Sequence, residues 1–385
     1  MKVNVELWSP IKRSSRVIQM EGLFDVPLAE RTGLSFSADL PVEDKDWHVS
    51  CILGRSGTGK SGLLRKLWPE NSATFDWPED ACILDGFSPG HSTTDITETL
   101  VSCGFGSPPN WLRPYRALST GEKFRADMAR LILDGKDPIV VDEMTSTVDR
   151  TVAMACCMAV QKAVRRAGKR LVCASCHYDI ADWLMPDWTF CTDNMTLERG
   201  RLWQPVKIDL EIIRADRRIW KWFRSFHYLS GDLNKSSRCF IGIYNDQAVA
   251  FCAALAHPHP SDRRRFREHR TVVLPQFQGI GIGGRISAAV ASLHKADGCR
   301  YFSTTSHPGF NAHRRRHPEL WRVARAAGFA KLIPSGFSKL AIRTEDRGME
   351  WRANRSKITP RLTTTWEYVG PAWPDVAEAR RMLYG

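Results

Sequence analysis

Gly54-Arg55-Ser56-Gly57-Thr58-Gly59-Lys60-Ser61 fits the spacing G-x-x-x-x-G-K-[ST]. The chemistry such a segment suits is the cradling of a nucleotide's phosphates. Its glycines let backbone N–H groups approach an anion, and the helix that follows adds a favourable dipole. Gly54, Ser56, Gly57, Thr58 and Gly59 line that cradle, Lys60 reaches the β- and γ-phosphates, and Ser61 sets its hydroxyl on the Mg²⁺ carried by ATP. Two acids, Asp142 and Glu143, follow the apolar run Ile139-Val140-Val141. At a strand end Asp142 suits a water-mediated hold on Mg²⁺, and Glu143 suits polarisation of an attacking water. His177 ends the next apolar run, where it is placed to touch a γ-phosphate; read alone it is a core histidine.

A second constellation lies in the other half. Gln278-Gly279-Ile280-Gly281-Ile282-Gly283 follows the run Thr271-Val272-Val273-Leu274 and precedes a helical stretch. Strand, glycine turn and helix N-terminus together make a pyrophosphate cradle. A dinucleotide fold would put this loop early and an acid about 20 residues on at a strand end. Here strands precede the loop, and Asp297 falls near a helix end. His307 has a usable pKa for a general base, and Tyr228 could protonate a leaving thiolate. The alternatives are a turn cap for His307 and a core position for Tyr228. Arg263-Arg264-Arg265 and Arg314-Arg315-Arg316 are candidate phosphate contacts, with Phe266 and Phe310 placed to stack a base. A solvated charge run is the plainer reading of both.

These groups need a scaffold. In the first half, strands alternate with helices, the pattern of an α/β sheet. Strands are expected at Val49–Leu53, Ala81–Leu84 and Arg170–Ser175, and helices from Ser61 and over Val152–Ala167. After about Pro205 the pattern changes to α+β. A helix is expected over Arg217–Phe226, with strands over Cys239–Tyr244 and Ala248–Ala256 around an Asn245-Asp246 turn. A strand over Arg270–Leu274, a helix over Arg285–Lys295, a strand over Arg300–Thr304 and a helix over Glu319–Ala327 complete it. The tail after Pro334 reads as polar and basic, without assigned elements. Domains are therefore expected at 1–205 and 206–385.

At 385 residues the chain can bury two cores. No apolar run approaches a membrane span, and Met1 to Glu6 lacks the apolar core of a signal peptide, so a cytoplasmic protein without membrane partners is expected. The eleven cysteines are scattered and read as reduced thiols. Cys173-x-x-Cys176-His177 has the haem-attachment spacing, but a strand end carrying two thiols accounts for it without an export context. Net charge is +13, and it is uneven. From Lys207 onward 31 basic residues face 15 acidic ones, whereas residues 1–206 carry 24 against 27. The second half thus attracts polyanions, nucleic acid first among them.

Together, the glycine loop, Leu118-Ser119-Thr120-Gly121-Glu122, Asp142-Glu143, Ser146-Thr147-Val148-Asp149 and His177 resemble the ABC-type ATPase family, in its soluble, SMC-like branch. The resemblance implies a P-loop domain in which Ser119 and Gly121 of one copy close over the ATP of another. It therefore implies a homodimer through the ATPase domains. Thr120 stands where the family's signature has glycine, and no clear glutamine loop is present, Asp85 standing near its place. These departures argue against transporter-type coupling.

Gln278, Gly281 and Gly283 match the pyrophosphate loop of GNAT acyltransferases, and the resemblance covers about Arg217 to Phe329. It implies a central mixed sheet, acetyl-CoA or another acyl-CoA as cofactor, and Gln278, Gly279, Gly281 and Gly283 as its binding residues. His227-Tyr228-Leu229-Ser230-Gly231 and Thr304-Thr305-Ser306-His307-Pro308-Gly309 look like the Mom-like phage DNA-modification branch. That resemblance implies acylation of a nucleobase amine, DNA favoured over RNA, with the base flipped out of a duplex. Two alternatives stay open: a nucleic-acid-binding module switched by the ATPase without acyl transfer, and an acetyltransferase of a protein or small amine.

Overall fold

Alternation within three short apolar runs sets the architecture of the first half. In β3 (Val49–Leu53), β4 (Ile139–Val141) and β5 (Leu171–Ser175), successive side chains must point to opposite faces of a sheet. In the computed structural model, Val49, Cys51, Leu53, Ile139, Val141, Leu171 and Cys173 enter one core. Ile52, Val140, Val172 and Ala174 enter another. The structure describes residues 1–24, 31–71, 75–204, 206–227, 232–257, 259, 262, 264–329 and 362–385. The chain divides into two units, Met1–Lys207 and Ile208–Gly385.

The first unit opens with a long antiparallel hairpin of β1 (Lys2–Pro10) and β2 (Arg31–Asp39), with α1 (Ser15–Phe24) between them. Its main sheet has the order β4-β5-β3-β6-β7, with β6 at Trp188–Cys191 and β7 at Thr196–Arg199. The first four strands are parallel and β7 is antiparallel. The core on the β1 side includes Leu63 and Leu64 of α2 (Lys60–Leu67). The opposite core is built with α3 (Thr93–Ser102), α4 (Pro108–Trp111), α5 (Thr120–Asp134), α6 (Arg150–Arg166) and α7 (Ile180–Leu184).

The second unit has one seven-stranded sheet, ordered β13-β14-β12-β11-β10-β9-β8. Its elements in chain order are β8 (Glu211–Ala215), α8 (Trp220–Phe223), β9 (Arg238–Tyr244), β10 (Gln247–Ala256) and β11 (Arg265–Val273). Then come α9 (Ile282–Ala296), β12 (Arg300–Thr305), α10 (Pro308–Arg316), β13 (Trp321–Phe329), β14 (Leu362–Tyr368) and α11 (Val376–Tyr384). Among the described strands of this unit only β11 and β12 run parallel, joined through α9. Asn245 and Asp246 both take positive φ, at 47° and 58°, as a tight hairpin turn requires. Trp220 and Phe223 pack on Phe251 beneath the sheet.

Several expectations are corrected. Ala81–Leu84 is no strand: residues Ile83–Gly86 form a 3-10 turn. The Ile83 amide is satisfied by the Arg113 carbonyl, and Ile83 is buried without a sheet edge to join. Arg217–Phe226 is a single α-helical turn flanked by two 3-10 turns. Glu319–Ala327 is not a helix, because β13 pairs antiparallel with β14 from Trp321↔Tyr368 to Phe329↔Leu362. That partner lies forty residues downstream, so its pull on an Ala/Arg-rich run leaves no local pattern. The tail also supplies β14 and α11.

His294 of α9 is fully buried among Phe240, Phe266 and Tyr301, with its Nδ1 2.7 Å from the Val290 carbonyl. Burial pushes its pKa down to about 3. An unfolded histidine takes up a proton near pH 6.5. Between these values the unfolded state binds more protons, so stability falls on acidification. Urea denaturation of the second unit should lose about 1.4 kcal/mol per pH unit through this residue in that window. His294→Phe should reduce the slope by one proton's worth; an unchanged slope would contradict this origin.

Candidate functional site

Parallel register brings the first set of groups to one edge. Leu53 pairs with Ser175, Val141 with Cys173 and Leu53 with Cys191. The residues that follow those strands are Gly54, Asp142-Glu143, Cys176-His177 and Thr192-Asp193. All therefore leave the sheet at its carboxyl edge, where α/β folds bind ligands. Asp142 and Glu143 are exposed and His177 is half-buried. Glu143 has φ 51° and Thr145 φ 67°, uncommon for residues with side chains, and a β-branched Thr there is strained. Cys173 points into the core, 3.3 Å from the Cys51 sulfur, while Cys176 is exposed. The two thiols thus do not face one group.

Gly59 caps α2 in the left-handed conformation, with φ 89° and ψ 10° and no side-chain cap. The first N–H groups of the helix are left for an anion. Lys60 is only 7% exposed, and its ammonium donates to the Gly54 and Arg55 carbonyls, both at 2.7 Å. An incoming phosphate would compete for it. The turn after β6 belts the loop. Thr192 Oγ1 lies 2.6 Å from Thr58 Oγ1 and donates to the Leu53 carbonyl at 3.1 Å. The Arg55 amide donates to Asp193 at 3.1 Å, and the Tyr178 hydroxyl donates to the same carboxylate. The Tyr178 hydroxyl, with Arg55, holds that carboxyl below its ordinary range. Asp193 thereby ties the residue after His177 to the glycine loop, a link sequence spacing did not suggest.

Ser119 caps α5 with Glu122, which accepts from its amide at 3.0 Å and its hydroxyl at 2.8 Å. A Cβ on Gly121 would meet Val152 of α6 at 2.9 Å, so packing alone accounts for that glycine. Asp149 caps α6 through the Thr151 and Val152 amides. Ser61 is half-buried in the first turn of α2.

The second unit repeats the device. Gly281 caps α9 with φ 89° and ψ 4°, has no side-chain cap, and a Cβ there would meet nothing within 4 Å. Gly279 has φ 88°, and the Gln278 side-chain Nε2 donates to the Val273 carbonyl at 3.0 Å, bracing the turn. Gly283 and Gly284 allow close approach: a Cβ would lie 3.4 Å from Phe310 and 2.3 Å from His313, both on α10. β11 and β12 pair only over Arg265–Arg267 and Arg300–Phe302. Beyond those residues their pairing stops, leaving a gap that runs toward the glycine loop and His307.

Glu268 stands where that gap opens. It accepts from Arg314 of α10 at 2.9 Å and from Ser287 of α9 at 2.7 Å. The pair is buried, with side-chain exposures of 1% for Arg314 and 8% for Glu268. Arg314 therefore cannot be a surface phosphate contact, contrary to expectation. Phe266 packs on His294 and Arg238, and Phe310 lies against Arg314 and His307, so neither is a free stacking platform. His307 caps α10, its Nδ1 accepting from the Gly309 amide at 3.2 Å. Tyr228 and Arg263 lie outside the described residues. The signal for Glu268 was present: it is the one acid within the run Arg263 to Arg270.

Residues 179–316 match the model of the acetyltransferase (GNAT) family. The chain carries a GNAT acetyltransferase domain. That match ends with α10, at Arg316. No curated protein matches the chain. Among solved structures, a dimeric bacterial ABC transporter cassette aligns at 15% identity, covering 43% of this chain and 90% of its own, with TM-score 0.34. An IAA acetyltransferase from Bacillus cereus aligns at 15% identity, covering 41% of this chain and 98% of its own, with TM-score 0.28. At such scores neither fixes the fold, which rests on the sheet orders above. Among the described residues no helix is long and apolar enough to cross a membrane, and no cluster of ligating side chains suits a metal ion.

The Glu268–Arg314 geometry makes a quantitative prediction for the GNAT domain. Glu268→Ala leaves a buried guanidinium uncompensated and should cost about 3–5 kcal/mol in urea denaturation. Glu268→Met with Arg314→Met should recover most of that loss; no recovery would mean the pair is not a structural anchor.

Proposed function

We propose that the chain couples an ABC-type ATPase, residues 1–205, to an acyl-CoA-dependent N-acyltransferase, residues 206–385, that modifies a nucleic-acid base. The observation that carries this reading is the pair of helix N-termini, at Gly59 and Gly281, each begun by a left-handed glycine without a side-chain cap. Such termini suit the phosphates of ATP and the pyrophosphate of acetyl-CoA. Bound ATP with Mg²⁺ would supply the phosphoanhydride, and bound acyl-CoA the thioester.

At the first site Gly54, Ser56, Gly57, Thr58 and Gly59 shape the phosphate cradle, and Lys60 moves from loop carbonyls to phosphate oxygens. Ser61 and Asp142 would hold the Mg²⁺ that accompanies ATP, and Glu143 would take the proton of the attacking water. α5 packs on the opposite face of the sheet from α2. In the SMC-like branch that this reading follows, Ser119 and Gly121 of one copy close over the ATP of a second copy. His177, tethered beside Tyr178 and Asp193, contacts the terminal phosphate.

At the second site Gln278, Gly279, Gly281 and Gly283 form the donor cradle. The acceptor's nature is supported by what the obvious bases are doing. Glu268 is engaged by Arg314, and His307 spends Nδ1 on its cap. Burial, with the nearby Arg270, pushes His269 down to about 4, which makes it a poor base. An acceptor whose amine is already neutral at pH 7, as an exocyclic nucleobase amine is, needs no prior deprotonation. In a Mom-like branch the acceptor would be DNA, and Tyr228 would return a proton to the leaving thiolate.

Separate sites predict separable losses. Lys60→Ala should abolish ATP hydrolysis while leaving thermal stabilisation by acetyl-CoA unchanged, and Gly281→Asp should do the reverse. Glu143→Gln should keep ATP binding and lower turnover by about 10²–10⁴-fold. Mass spectrometry of nucleosides from cells expressing the protein should show an acylated base that disappears with Gly281→Asp. Its absence from both DNA and RNA would overturn the acceptor assignment.

A further inference from the structure

Among the described residues, the helices pack away from one face of the second unit's sheet at the Arg265–Arg267 end of β11 and over β12, β14 and β13. Contacts from α9 and α10 serve the opposite face, and α8 packs against β10 and against Val272 near the far end of β11. Pairing shows which side chains share this face, because paired residues project to the same side, and a register shift between Val323 and Arg325 brings Arg325 opposite Thr365. Arg265 pairs with Arg300 and Arg267 with Phe302; Phe302 and Arg322 each pair with Glu367; Arg325 pairs with Thr365. Arg267, Arg300, Arg322 and Arg325 are exposed, and Arg265 is half-buried.

Three of these arginines, Arg265, Arg300 and Arg322, are held in place. Glu367 is only 7% exposed and accepts from Arg300 Nε and Arg322 Nη2, both at 2.8 Å. Arg265 and Arg300 lie over the buried Phe302 ring at 4.0 and 5.0 Å. A second contact, Arg300 to Asp262 at 3.4 Å, closes the edge. Five guanidiniums against two carboxylates leave an excess of three positive charges. Guanidiniums held flat by stacking and by a buried acid lose little freedom on binding and keep outward donors in a planar fork. The row crosses four strands about 4.8 Å apart, so it is about 14 Å wide. That suits a polymer of repeating charge better than a single small anion. Exposed Thr304, 3.0 Å from Thr365, continues the face toward His307 and the gap between β11 and β12.

We propose that this arginine face binds the phosphodiester backbone of the nucleic-acid acceptor and leads it to the acyl-transfer gap. The inference rests on the acceptor reading above and names the residues that would grip it. They include Arg265 of the first arginine triplet and none of the second, whose Arg314 is consumed in the core.

The test uses the full chain and fluorescein-labelled DNA and RNA oligonucleotides, single-stranded and duplex, followed by anisotropy across a salt series. Arg267→Glu with Arg325→Glu, both exposed, should weaken binding at least about tenfold at moderate salt. It should also flatten the plot of log K against log salt by about 2, near one per lost phosphate contact. Arg267→Lys with Arg325→Lys should keep most of the slope. A charge-matched pair elsewhere, Arg16→Glu with Arg381→Glu, should change it little. Binding that ignores the first pair, or is lost equally with the matched pair, overturns the face while leaving a nucleic-acid acceptor in place. Stronger competition by polyglutamate than by unlabelled oligonucleotide would assign the face to acidic peptides instead and overturn it. If no oligonucleotide binds even at low salt, the acceptor reading falls and the face with it.

Discussion

A helix that begins on a left-handed glycine presents bare amides to whatever lies in front of it. Both units are organised around that constraint. At Gly59 and Gly281 the backbone takes φ 89°, a conformation that side chains disfavour, and the strand before each loop determines where the helix can start. In the first unit the consequence spreads along the sheet. Because β3, β5 and β6 are parallel and in register, every residue leaving their carboxyl ends is delivered to the same cradle. Lys60, His177, Tyr178, Thr192 and Asp193 come from distant parts of the chain, yet one register gathers them.

In the second unit the same device meets a second constraint, the disposal of buried charge. Glu268 and Arg314 join β11 to α10, with Ser287 of α9 between them, at the point where β11 and β12 part. The opening beside the glycine loop is thus bounded by groups that cannot move independently, since separating them would strand a charge in the core. Glu367 plays a parallel part on the other face, where one buried acid orients two surface arginines. The basic character of this half is therefore not a diffuse coat. Some arginines hold the fold together, and others are held out by it.

Legibility in the sequence followed the range of the interactions. Glycine loops were readable because their requirements are local: a strand, a turn of defined φ and a helix in immediate succession. Asn245-Asp246 was readable for the same reason. β13 was not, because Glu319 to Ala327 carries an Ala/Arg composition that favours a helix, and the strand that captures it begins at Leu362. The run Ala81 to Leu84 misled in the opposite direction, being apolar enough for a strand but lacking a sheet edge to join. His307 was named for its chemistry, yet its position before Pro308 already offered the capping role that it occupies.

Residue type and spacing by themselves determined that the chain holds two glycine loops, each opening a helix, one in each unit, and that positive charge gathers in the second, since these depend on neighbours in sequence. Tertiary structure alone decided which charged groups remain at the surface. Arg314 and Arg315 are adjacent in sequence, but only Arg314 is drawn into the core, because a helix turns successive residues to different sides. The arginine face likewise exists only because strands remote in sequence align Arg267, Arg300 and Arg322 on one side of a sheet. Pairing register is a property of two chains of backbone meeting, and no single segment contains it.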